Sequence, residues 1–147
     1  MGAEIRFAAG NSGAISLLGG WSTPEAWGSW TEGKNSRLIL PLPAGSDTKP
    51  MRLSINAQAL LGKGLPSQTV TVSVNGVAVG QIRFDDVHNR EWRTLPVPLS
   101  ALTRGRQGIL DVSFQIEQPI RPTDLGMGPD NRELGMGLIA MRLDAAS

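Results

Sequence analysis

The stretch "TVTVSVNGVAVGQIRF", residues 69–84, decides the fold class. Val70, Val72 and Val74 alternate with Thr71 and Ser73, the period of a strand with one face in a core. Asn75-Gly76 follows, a residue pair that accepts the two positive φ angles of a tight hairpin turn. Beyond the turn the apolar parity slips, because Val77 and Val79 are odd while Ile82 and Phe84 are even, with Gly80 between them. One extra residue in a bulge near Gly80 restores the inward facing, so the stretch reads as a bulged antiparallel hairpin.

The same period extends in both directions along the chain. Leu38, Leu40 and Leu42 share one parity, and Met51, Leu53, Ile55 and Ala57 oppose Arg52, Ser54, Asn56 and Gln58. Leu110, Val112, Phe114 and Ile116 oppose Asp111, Ser113, Gln115 and Glu117. "REWRTLPVPL" carries Trp92, Leu95 and Val97, with Trp92 expected in the core, and "LGMGLIAMRL" closes the chain as a more buried strand. Helix is confined to one turn near "PLSAL" and one near "RPTDLG", opened by Pro122, Thr123 and Asp124. "PAGSDTKP" and "LGKGLPSQ" read as loops. About eight or nine short strands, each with one apolar face, predict an all-β antiparallel β-sandwich, a jelly roll, as a single domain over residues 1–147.

Composition agrees: 18 glycines and 10 prolines in 147 residues suit a turn-rich chain. With 14 basic against 13 acidic residues there is no basic stripe for a phosphate backbone, so nucleic acid is not an expected partner. The absence of cysteine excludes disulfides and thiol chemistry and fits any redox compartment. The chain shows neither a signal peptide at its start nor an apolar run of the ~20 residues a bilayer requires, so it reads as soluble as given, without membrane insertion and with the compartment open.

Catalytic patterns are thin. The one histidine, His88, lies in the polar loop "DDVHNRE", and no GxSxG elbow offers a nucleophile. A glycosidase-like carboxylate pair would have to join Glu25 to Asp85, Asp86, Asp124 or Asp130. "GMGPDNRELGMG" is glycine-rich but precedes a strand, unlike a phosphate-binding loop. No cofactor is expected; the metal weighed is a structural calcium ion, with oxygens from Glu4, Asp85, Asp86, Asp130 or Asp144, although no EF-hand spacing is present.

"GGWSTPEAWGSW", residues 19–30, holds three of the four tryptophans in a chain without tyrosine. If residues 27–31 form a strand, Trp27 and Trp30 fall on opposite faces, so core packing cannot account for both. Exposed indoles offer flat apolar platforms for sugar C–H faces, with neighbouring polar groups for the hydroxyls. The competing reading has the segment sealing the sandwich end. The outward rows Arg52/Ser54/Asn56/Gln58 and Asp111/Ser113/Gln115/Glu117 are either solvated faces or a polar binding surface.

"GWSTPEAWGSWTEG" resembles the GWS-x-PE-x-WG-x-W-(S/T)-x-G segment of jelly-roll domains attached to bacterial glycosyltransferases and other envelope polysaccharide proteins. "RPTDLGMGPDNRELGMGLIAMRL" is similar to the same domains' C-terminal pattern. The resemblance implies a non-catalytic, sugar-associated sandwich like the carbohydrate-binding modules, working within a larger glycosyltransferase or envelope assembly. Matching positions include Trp21, Ser22, Glu25, Trp27, Gly28 and Trp30, with Asp130 and Arg132 at the other end. The expectation is a carbohydrate-binding module using Trp21, Glu25, Trp27, Trp30, Asp130 and Arg132, with Glu25 and Arg132 paired across the sandwich end. The alternatives are a docking or self-associating structural domain and a small glycan-active enzyme.

Overall fold

The computed structural model describes residues 4–42, 45, 48–106 and 108–146, so the expected loop "PAGSDTKP" lies in part outside the described residues. Nine strands appear: β1 Ile5–Arg6, β2 Ser29–Glu32, β3 Asn35–Pro41, β4 Met51–Ala59, β5 Gln68–Val74, β6 Val77–Phe84, β7 Glu91–Val97, β8 Ile109–Ile116 and β9 Leu134–Ala145. They form two antiparallel sheets. One has the order β1-β9-β4-β7, with β2 also on β9; the other is β3-β8-β5-β6. From β2 to β5 the chain changes sheet at every connection, and it does so again from β6 to β9. That is jelly-roll connectivity, as the strand pattern predicts.

The deciding hairpin forms as read. Asn75 (φ 50°) and Gly76 (φ 84°) both adopt positive φ between β5 and β6. Val72 faces Gly80 while Ser73 faces Ala78, which leaves Val79 as the extra residue of a bulge. Its consequence is that Ile82 and Phe84 turn into the core beside Val70, Val72 and Val74. The other parity sets, Leu38/Leu40/Leu42, Met51/Leu53/Ile55/Ala57 and Leu110/Val112/Phe114/Ile116, fill the space between the sheets. The helical elements among the described residues include α1, Leu99–Leu102, and short 3₁₀ turns at Ser12–Ser16 and Pro122–Leu125. Among the described residues no helix is long and apolar enough to cross a membrane.

Trp92 departs from expectation: it is 41% exposed rather than in the core. The inward residues of β7 are Leu95 and Val97, both odd, so an even position faces out. Trp92 instead lies near the Arg142 guanidinium, 5.8 Å from its ring centroid.

Candidate functional site

The tryptophan segment doubles back on itself. Trp21 bridges to Thr31, the Ser22 N–H donates to the Trp30 carbonyl (2.9 Å), and the Glu32 N–H donates to the Gly20 carbonyl (2.8 Å). At the turn the Glu25 N–H donates to the Gly28 carbonyl (2.8 Å), and the Glu25 carbonyl accepts from Ala9 (2.8 Å). This fold-back sorts the tryptophans into two environments.

Trp21 belongs to the sandwich end. Its indole meets Phe114 edge-on, with centroids 6.0 Å apart, and its N–H donates to the Arg37 carbonyl at 2.8 Å. Trp27 and Trp30 behave differently. The strand begins only at Ser29, so Trp27 precedes it, and the opposite-face expectation for Trp27 and Trp30 does not hold. Ser29 and Thr31 take the buried positions of β2, where the Ser29 hydroxyl donates to the Phe7 carbonyl and Thr31 Oγ1 accepts from the Met136 N–H. Trp30 is thereby turned to the other side, where its ring lies 5.2 Å from that of Trp27 at 75°.

Gly137 makes this pairing of rings possible. It stands opposite Trp30 in the β2–β9 register, and a Cβ there would lie 2.6 Å from Trp27 Cη2. The Trp27 ring therefore occupies space that any other residue at 137 would claim. Strand register extends the surface outward from the ring pair. Gln58 flanks Gly137 in the same row, and the next row runs Ala140, Asn56, Trp92, followed by Arg142, Ser54, Thr94. The outer face of the five-stranded sheet thus carries indoles toward both edges, three strand spacings and two residues of register apart, with a polar middle. Ser54 and Thr94 hydroxyls bond each other at 3.0 Å, whereas Asn56 Oδ1 is buried without a partner. Trp92 is a member of this face that sequence reasoning assigned elsewhere; strict parity from Leu95 and Val97 was the signal that finds it.

The N-terminal tryptophan segment and the C-terminal segment meet through β2 and β9, and the Gly33 N–H donates to the Glu133 carbonyl at 2.8 Å. Arg132, however, pairs with Asp130 rather than Glu25. Its Nε donates to Asp130 Oδ1 at 3.0 Å and its Nη2 to Oδ2 at 2.6 Å. Hydrogen bonding from that guanidinium, then from the Arg132 backbone N–H, holds the Asp130 carboxyl at about 2, against opposing desolvation. The Arg132 pKa is raised, chiefly by the Asp130 hydrogen bond, with longer-range contributions from Glu25 and Glu32. Glu25 therefore shares the neighbourhood of Arg132 without forming an ion pair with it.

The carboxylates weighed for calcium are engaged by nearby arginines in four of five cases: Glu4 with Arg6, Asp85 with Arg83, Asp130 with Arg132 and Asp144 with Arg142. Among the described residues no group of three or more His, Cys, Asp or Glu side chains is placed to hold a metal ion, so side chains alone do not supply a calcium cage, and calcium bound with backbone carbonyls remains compatible with the fold. The catalytic patterns also fail to assemble. His88 Nδ1 lies 2.9 Å from Glu91 Oε1, and among the described residues no hydroxyl bonds to its ring. The Asp85 carboxyl is lowered by backbone N–H bonds, first from His88 and then from Val87, with Arg83 adding its charge. A glycosidase general acid needs a raised pKa, the opposite of what Asp85 and Asp130 have.

No protein-family model matches the chain, and no curated protein matches it. Solved structures do match in fold. A carbohydrate-binding module CBM36 in complex with calcium and xylotriose superposes at TM-score 0.52 and 9% identity, over 97% of this chain and 99% of that one. The CBM36-1 domain of a multidomain xylanase from the hindgut metagenome of Trinervitermes trinervoides matches at 0.52 and 9%, over 100% of this chain and 99% of that one. A family GH115 4-O-methyl-α-glucuronidase with specificity for decorated arabinogalactans matches at 0.57 and 12%, over 99% of this chain but 18% of its own length.

Proposed function

We propose that this sandwich is a non-catalytic carbohydrate-binding module whose ligand lies on the outer face of the five-stranded sheet. The observation that carries the reading is the Trp27–Trp30 pair, seated over Gly137 outside the core and continuous with a polar strip of Gln58, Asn56, Ser54 and Thr94. A stable protein gains little from leaving partly exposed indoles on an outer face; the C–H face of a sugar ring covers them. Sugar rings stack on Trp27 and Trp30, hydroxyls bond Gln58, and Trp92 supports the far edge. Glu25, in the turn before Trp27, and Arg132, which feels the charge of Glu25, offer polar contacts to groups at this end of the sheet. Trp21 contributes by holding the segment in place.

The fold shared with modules complexed to xylotriose supports a neutral plant or bacterial glycan as the first ligand to try. The resemblance to domains of glycosyltransferases and envelope polysaccharide proteins supports work within a larger assembly, where several weak sites act together. Intrinsic fluorescence titration with xylan and other neutral glycans tests the reading on wild type and on Trp30→Ala, checked to be folded. A saturable change lost in the variant is expected. No response to any neutral glycan in the folded wild type overturns it.

A further inference from the structure

The outer face of the other sheet carries a second feature, a groove of about 410 Å³ lined by Leu18, Arg37, Ile39, Asn75, Arg104–Arg106, Ile109 and Asp111. Ile39 and Ile109 lie on the outward side of β3 and β8, giving it an aliphatic floor. Leu18 is anchored at one wall by its N–H bond to the Arg37 carbonyl (2.9 Å) and is 43% exposed. Opposite, the 104–106 loop packs against the Asn75 side chain, which donates to the Ala101 carbonyl at 3.0 Å and accepts from the Asp111 N–H at 3.0 Å. The wall that carries Arg104 and Arg106 is therefore tied to the β5–β6 turn.

The charge balance of this groove differs from that of the chain. Among the described residues three arginines face a single carboxylate, Asp111, and Arg37 already holds it through Nε–Oδ1 (2.9 Å) and Nη2–Oδ2 (2.7 Å) bonds. The lining keeps a surplus of two positive charges in a protein whose formal net charge is +1. Guanidinium forks recognise planar carboxylates in this two-bond manner, and an apolar floor suits the C–H face of a ring. The volume lies at the lower end of the range for small-ligand pockets, enough for a sugar ring or two.

We propose that this groove binds the carboxylate-bearing ring of an acidic sugar, the ring on Ile39 and Ile109 and the carboxylate toward Arg104 and Arg106. The sugar identity rests on the carbohydrate reading above; the charge preference rests on the groove alone. It is a second site, on the sheet opposite the tryptophans.

Isothermal titration calorimetry with a galacturonate oligomer, the matching uncharged galactan oligomer and dextran sulfate tests this on wild type, on Trp30→Ala, and on Arg104→Ala combined with Arg106→Ala. Both arginines are exposed, and a thermal melt verifies that the double variant folds. The expected result is galacturonate binding that weakens about tenfold or more in the arginine variant, is unchanged in Trp30→Ala, and falls with added salt. Galacturonate binding that survives the arginine changes, or that disappears with Trp30, overturns the proposal. So does dextran sulfate binding more tightly than galacturonate, which marks plain charge attraction. Neutral-glycan binding that depends on Trp30 with no galacturonate binding rejects this groove while leaving the tryptophan face standing. Arginine-dependent galacturonate binding without any neutral-glycan response does the reverse.

Discussion

Trp21 and the Trp27–Trp30 pair come from one short motif and stand in opposite circumstances. Trp21 has its edge on Phe114 in the core and its N–H committed to the Arg37 carbonyl. Trp27 and Trp30 have each other, a glycine beneath them and a polar strip beside them. One short segment thus divides its labour: one indole closes the fold, and the other two are placed by that closure. The difference teaches that a tryptophan's role follows from what its ring faces and whether its N–H is already used.

Removing Trp21 should separate the two roles most sharply. Trp21→Ala is expected to destabilise by about 3 kcal/mol, through lost burial and a cavity beside Phe114, as read by urea unfolding. A loss below about 1 kcal/mol, the scale of ordinary substitutions, would remove Trp21 from the core. Gly137→Ala comes next, with an expected cost of about 1–2 kcal/mol because its Cβ collides with Trp27; the tryptophan emission should shift as the ring is displaced. An unchanged spectrum would mean that Trp27 does not rest on residue 137. Trp27→Ala should cost only about 1 kcal/mol, the scale of an aromatic pair outside a core, yet abolish any glycan-induced fluorescence change. Equal unfolding losses for Trp27→Ala and Trp21→Ala would erase the distinction between the two environments.

The smallest expected effect concerns the acid limb. The Asp130 carboxyl lies at about 2 in the fold against an ordinary 3.8, so the folded state binds fewer protons between those values. The stabilisation from the Asp130–Arg132 pair is complete above 3.8 and is lost as pH falls through about 2. The stability gap between wild type and Asp130→Asn should therefore close on acidification toward that value. A gap that stays constant with pH would show that the ion pair contributes nothing. Because both side chains are partly exposed, solvent keeps this contribution small.

Alternation determined most of the architecture before any contact was known. The valines of β5, the Asn75-Gly76 turn and the displaced parity around Gly80 specify a bulged hairpin locally, because strand period and positive φ are properties of neighbouring residues. The remaining parity sets specify two apolar faces and hence a sandwich. The tryptophan segment announced itself by composition alone, three of the four tryptophans in residues 19–30. What no local pattern contains is the β2–β9 register, which sets Trp30 opposite Gly137 across more than a hundred residues of chain. That register, with the turn at Glu25–Gly28, decides that Trp27 and Trp30 lie together, while the β4–β7 pairing brings Trp92 onto the same sheet. The physical reason is range. Side-chain period is fixed by the backbone geometry of adjacent residues, whereas the partner of a ring is chosen by strand pairings that only closure of the whole sandwich brings about.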